Sequence, residues 1–117
     1  MEHDCSHDHD GQPEPIAPAS DLVARAAAFF RALGDPARLA VVAELCGREL
    51  CVSELAALSG DSMSAVSQRL RVLRADGLVV RRRAGKHVHY SLVDDHVAAL
   101  VRNAIEHADE PRDPRPD

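Results

Sequence analysis

Tryptophan is absent, tyrosine occurs once and phenylalanine twice, so aromatics make up only 3% of the 117 residues. A core without large rings must be assembled from Leu, Val, Ala and Ile between packed helices, which favours a mostly helical domain. Long apolar runs are missing as well. Segments such as Ala26-Ala27-Ala28-Phe29-Phe30 are interrupted by charge well before the roughly 20 residues that a membrane-spanning helix needs. The N-terminus is polar and acidic and does not read as a secretion signal. Cysteine is scarce, and without an export signal Cys5, Cys46 and Cys51 are expected as reduced thiols of a cytoplasmic protein, not as a disulfide framework. The length suits one small domain.

Charge is present in quantity but unevenly. The formal net charge is -5, which taken alone argues against nucleic acid. Between Arg69 and Lys86, however, Arg69, Arg71, Arg74, Arg81, Arg82, Arg83 and Lys86 face the single acid Asp76, a local charge of +6 that leaves -11 for the rest. The field a partner meets therefore depends on the face it approaches.

Residues 1–19 hold three histidines, a cysteine, five acids and three prolines without apolar periodicity, and read as a disordered tail. A first helix is expected from an N-cap at Ser20, carrying Leu22, Ala26, Phe29, Phe30 and Leu33 at three-to-four spacing and ending at Gly34. Asp35-Pro36 announces a second, with Leu39, Val42, Ala43 and Cys46 on one face. On this spacing Cys46 is expected as buried packing. A short third helix spans about Val52 to Leu58. Asp61 or Ser62 caps a fourth, in which Ala65, Val66, Leu70 and Leu73 form a buried stripe while Gln68, Arg69, Arg71 and Arg74 point outward.

After Gly77 the period changes. "LVVRRR" and the alternating "HVHYSL" flank "AGK", which reads as two strands joined by a tight turn at Ala84-Gly85. A last helix starts near Asp94 and must stop before Pro111, so the domain runs over 20–110, with residues 111–117 a second disordered tail. Helix, short helix, turn, basic helix and basic hairpin follow the order of a winged helix-turn-helix. Ser64, Ser67, Gln68, Arg69 and Arg71 are the candidates for the major groove. Arg82, Arg83, Lys86 and His87 are the candidates for phosphate or a narrow minor groove. So small a footprint calls for a symmetric dimer on an inverted repeat of double-stranded DNA.

The stretches "ALGDPARLAVVAEL", "ELCVSELAALSG", "SMSAVSQRLRVLRADGLVVRRRAGKHVHYSL" and "DDHVAALVRNAIEHADE" resemble the ArsR/SmtB family of metal-responsive repressors over about residues 20–110. The resemblance implies a homodimer, joined through its terminal helices, that holds operator DNA without metal and releases it when metal binds, switching on efflux or sequestration genes.

The last helix carries metal-type ligands at both ends. His96 and His107 are eleven residues apart, nearly one face at about 100° per residue but about 16 Å apart along the axis. Zinc needs ligand atoms at about 2 Å, so one helix cannot bring both histidines to one ion. Two copies packed antiparallel about a two-fold axis can, with Val97, Leu100, Val101, Ala104, Ile105 and Ala108 as the apolar seam, and symmetry then makes the site twice. Each would hold Asp94 and His96 of one chain with His107 and Glu110 of the other. This spacing resembles the family's zinc site on the C-terminal helix at all four positions, and the alternative makes Asp94 an N-cap and His107 and Glu110 solvated residues. Asp95 is a neighbouring carboxylate that can cap or substitute.

The closed, two-nitrogen, two-carboxylate set suits sensing and leaves no open position for catalysis, and nothing positions a nucleophile, so no enzyme is expected. The resemblance also implies a hydrogen bond from His107 towards the backbone near Gln68, although "SQRL" departs from the family's usual "SHQL". Cys51 stands where relatives place a thiolate, to be completed by Cys5, His3, His7 and His9 of the partner's tail. Ser53 replaces the second cysteine of the thiolate-rich sites, which leans that site to zinc, with cadmium also possible. Nickel or cobalt could use the tail histidines with His96 and His107. A thiol-redox, arsenic or cadmium sensor using Cys46 and Cys51 and a metal buffer using the tail are the competing functions.

Overall fold

Helix punctuation is set locally by the residues that carry it. Asp35 accepts from the Arg38 backbone N–H at 3.0 Å and Pro36 occupies the first helical position, so a second helix starts immediately after the first ends at Gly34. Ser62 accepts from the Ala65 N–H at 3.1 Å, and Asp94 from the Val97 N–H at 3.2 Å, each opening a helix in the same way. The resulting computed structural model, described over residues 13–112, runs α1 Ser20–Leu33, α2 Pro36–Glu44, α3 Val52–Ser59, α4 Met63–Ala75, β1 Val79–Ala84, β2 His87–Leu92 and α5 Asp95–Asp109. This is the expected mostly α, winged helix-turn-helix architecture.

Four details differ from the sequence expectation. Ala19, not Ser20, is the N-cap of α1, and it makes no side-chain cap bond, because the helix begins one residue early. The hairpin turn is Gly85-Lys86, since Ala84 still pairs with His87. Gly85 has φ 63 and Lys86 has negative φ, the pattern of a II′ turn with glycine first. Leu50, expected in a connection, forms an antiparallel bridge to Tyr90 through bonds of 3.0 and 2.8 Å, adding a one-residue third strand to the wing. Cys46 is only half-buried, its thiol 3.6 Å from the Val42 carbonyl oxygen.

The core joins Val41, Val42 and Leu45 of α2 to Leu55 of α3, Val66, Leu70 and Leu73 of α4, Leu78 and Val79 at the start of the wing, and Val97 and Val101 of α5. Val101, 1% exposed, and Val97 thus face their own chain's core, where α5 packs on α2 and β2. The apolar seam expected along the whole of α5 is therefore divided. Its first half closes the core against α2 and β2, and of the seam residues Ala104, Ile105 and Ala108 remain exposed for a partner. On α1 the expected stripe is likewise mostly uncovered. Both phenylalanines of the chain, Phe29 and Phe30, stand exposed beside Leu22 and Val23, and only Ala32 and Leu33 are buried. No helix among the described residues is long and apolar enough to cross a membrane.

Candidate metal centre and nucleic-acid interface

Helix α4 presents Ser64, Gln68 and Arg71 to solvent while its opposite face enters the core. Ser67, Arg69 and Arg74 are half-buried. The Arg69 guanidinium turns back across the start of the helix, its Nη1 2.7 Å from Asp61 Oδ2, so it does not project outward with Arg71 as its helical position suggests. The wing shows the same division. Arg81, Arg83, Lys86 and His87 are exposed. Arg82 instead donates from Nε to Glu49 Oε2 at 3.2 Å and from Nη2 to Glu49 Oε1 at 2.7 Å. This bidentate bond holds the Glu49 carboxyl below its ordinary range and raises the Arg82 guanidinium further.

Neither carboxylate is visible as a partner in the sequence. Glu49 is 33 residues from Arg82, and Asp61 lies outside α4, eight residues before Arg69, so no helical or strand spacing marks the pairs. The one available signal is that Glu49 and Asp61 stand just before and just after the short α3.

At the start of α5 the Asp94 carboxylate is divided between two tasks. Oδ1 caps the helix through Val97, and Oδ2 lies 3.5 Å from His96 Nδ1. At the other end His107 Nδ1 lies 3.2 Å from Glu110 Oε1, the i to i+3 pair meeting on one face as expected. The histidines are open to solvent, with 96% of the His96 side chain and 85% of the His107 side chain exposed. Thus one close histidine–carboxylate pair forms at each end of the helix. Among the described residues no three His, Cys, Asp or Glu side chains gather closely enough to hold an ion. The cap to Val97 uses Oδ1 and leaves Oδ2 on the side of His96.

No hydrogen bond joins His107 to Gln68 among the described residues, and α5 packs on α2 and β2. The route from α5 to α4 within one chain passes through α2, which contacts both. Cys51 is the N-cap of α3, half-buried, with Sγ 3.1 Å from Ser53 Oγ and its backbone N–H donated to Glu54 Oε1 at 2.9 Å. That backbone bond is the main reason the Glu54 carboxyl lies below its ordinary range. Cys5, His3, His7 and His9 lie outside the described residues. His87 and His89 sit two apart on β2 with ring centroids 6.3 Å apart.

A winged helix-turn-helix with a basic helix α4 and a basic wing is the architecture of DNA-binding transcriptional regulators. Residues 35–80 match the bacterial regulatory protein, arsR family. The chain is 46% identical to the transcriptional repressor SmtB homolog of a Synechocystis species over 99 residues, 85% of this chain and 75% of that one. It is 44% identical to the transcriptional regulator NmtR of Mycobacterium tuberculosis, over 88% of this chain and 87% of that one. Among solved structures, the homodimeric winged helix-turn-helix domain Mb0332 of Mycobacterium bovis, a possible ArsR-family regulator, aligns with a TM-score of 0.73 at 28% identity, covering 87% of this chain and 98% of that one. The chain belongs to the ArsR family of bacterial transcriptional regulators.

Proposed function

We propose that this regulator is a metal-responsive repressor. It binds operator DNA in the cytoplasm as a homodimer through the exposed residues of α4 and the wing, and it lets go when a divalent ion, zinc first among the candidates, binds at α5. The observation that carries this reading is the pair of preformed half-sites at opposite ends of one helix. Each is too small to hold an ion alone, and their separation of about 16 Å, at 1.5 Å per residue, excludes closure within a chain.

The donor set fits a metal of this class. Two imidazole nitrogens and two carboxylates suit zinc, and imidazole also suits cobalt and nickel. Asp94 and His96 of one protomer with His107 and Glu110 of its partner would hold the ion, which supplies a fixed positive charge tying the two α5 helices together. The exposed Phe29, Phe30 and Ile105 support the dimer that this requires. A second site at Cys51, completed by Cys5, His3, His7 and His9, belongs to the same proposal. Its support is a half-buried thiol at the N-cap of α3, with Sγ 3.1 Å from Ser53 Oγ.

To convert a population from 1:99 bound to 99:1 released, the ion must prefer the released form by about 5.5 kcal/mol. Titrating zinc, cadmium, nickel and cobalt into the DNA-bound dimer tests the reading. Zinc is expected to release wild-type protein, while His96→Ala/His107→Ala stays bound with unchanged metal-free affinity. Release of that variant at wild-type zinc concentrations would remove α5 from the mechanism, and loss of the response in Cys51→Ser alone would place the sensor at α3.

A further inference from the structure

The wing is expected to meet phosphate and α4 to enter a groove walled by phosphate, yet an arginine in each element is already held by a carboxylate from outside it. Arg82 gives Glu49 its Nε and Nη2, the same side-on edge of the guanidinium that would grip a phosphate bidentately. Arg69 gives Nη1 to Asp61. Glu49 precedes the Leu50–Tyr90 bridge, and Asp61 precedes the Ser62 cap of α4, so both acids are fixed by backbone that is itself hydrogen-bonded. The Arg82–Glu49 pair is largely open to solvent, and exposed pairs of this kind add little to fold stability. Its consequence is therefore electrostatic. Glu49 and Asp61 reduce the charge of the stretch from +6 to +4 on the surface that faces DNA.

We propose that Glu49 and Asp61 are built-in competitors of the DNA backbone, positioning residues that hold Arg82 and Arg69 off phosphate and so limit operator affinity. Arg71, Arg83 and Lys86, which form no ion pair among the described residues, make the phosphate contacts. A phosphate that took Arg82 would leave the Glu49 carboxylate uncompensated next to the DNA, so the exchange is opposed even when DNA is present. An affinity limited in this way leaves less binding free energy for an effector to overcome. The inference rests on α4 and the wing being the DNA face.

Salt dependence separates this role from a merely structural one, because each phosphate contact contributes about -0.9 to the slope of log affinity against log salt. Such contacts are independent of sequence, so the probe is a mixed-sequence duplex about three helical turns long, with chelator present. Glu49→Gln is expected to steepen the slope by about 0.9 per protomer, close to 1.8 for a dimer. Adding Arg82→Ala to Glu49→Gln removes the freed guanidinium and returns the slope to the wild-type value. Asp61→Asn and Arg69→Ala repeat the pattern on α4.

An unchanged or shallower slope in Glu49→Gln overturns the proposal. So does a Glu49→Gln/Arg82→Ala double variant whose slope stays as steep as that of Glu49→Gln, and Asp61→Asn gives the same test at a position that does not depend on how Glu49→Gln folds. Wild-type binding without salt dependence would instead strike at the DNA face itself.

Discussion

Two variants that each destroy metal binding should restore it when mixed. One, Asp94→Asn/His96→Ala, removes the ligand pair at the start of α5 while asparagine keeps the cap to Val97. The other, His107→Ala/Glu110→Ala, removes the pair at the end. The ends are about 16 Å apart at 1.5 Å per residue, against a zinc–nitrogen distance of about 2 Å. Each site must therefore draw one pair from each protomer. Both homodimers then lack a complete site, because every site misses the same half. In the heterodimer one site loses both halves and the other keeps both.

With Cys51→Ser in every chain to remove the second proposed site, the dimer with intact α5 should bind two ions, each homodimeric variant none tightly, and a purified heterodimer one. An equimolar exchange mixture is about half heterodimer by random pairing, so it should bind about 0.5 ion per dimer. Equilibrium dialysis with metal analysis, on material whose heterodimer content is fixed by differential tags, gives the count. A heterodimer that binds no ion, or either homodimer that binds two, would refute the shared-site reasoning.

Asp94 offers a second separation of roles. Asp94→Ala should lower stability by about 1 kcal/mol through loss of the cap, whereas Asp94→Asn should melt near wild type yet bind zinc more weakly. Phe30→Asp should leave the monomer folded, since the ring is 58% exposed, but shift sedimentation to monomer because the charge would be buried twice across a two-fold interface. Leu70→Ala, at a site 1% exposed between α4 and the core, should cost about 2–5 kcal/mol in chemical unfolding. The Glu54 carboxyl is depressed in the folded state, so its stabilising contribution is complete above the ordinary value of 4.5 and is lost as pH falls through the lower folded value. Glu54→Gln should therefore flatten the acid limb of the stability profile and leave its neutral region unaltered in shape.

Features written in local chemistry were legible in the sequence. Asp35-Pro36, Ser62 and the Val66, Leu70, Leu73 stripe set α2 and α4, since capping and helical period act within a few residues. The proximity of Asp94 to His96 and of His107 to Glu110 on α5 follows from the same local geometry, since each pair meets inside one turn of chain. Long-range pairing was not. Nothing near Leu50 announces Tyr90, and nothing near Glu49 announces Arg82, because those contacts exist only after the wing has folded back on the start of α3. The seam on α5 was over-read for a related reason. Periodicity reports that Val97, Val101 and Ile105 share a face but not that the first two are claimed by α2 and β2 before any partner arrives.

The Leu50–Tyr90 bridge has a consequence for anyone who would re-engineer specificity. It ties the chain just before α3 to the last strand of the wing, and Val93 donates back to the Leu78 carbonyl where the wing begins. Residues 49–93 thus form a loop of sequence closed at its own base, with both reading elements inside it. A chimaera that exchanged α4 alone, or the wing alone, would cut across this closure. A graft of the whole segment from Glu49 to Val93 would keep this closure, provided that the core residues it meets on α2 and α5 are kept with it.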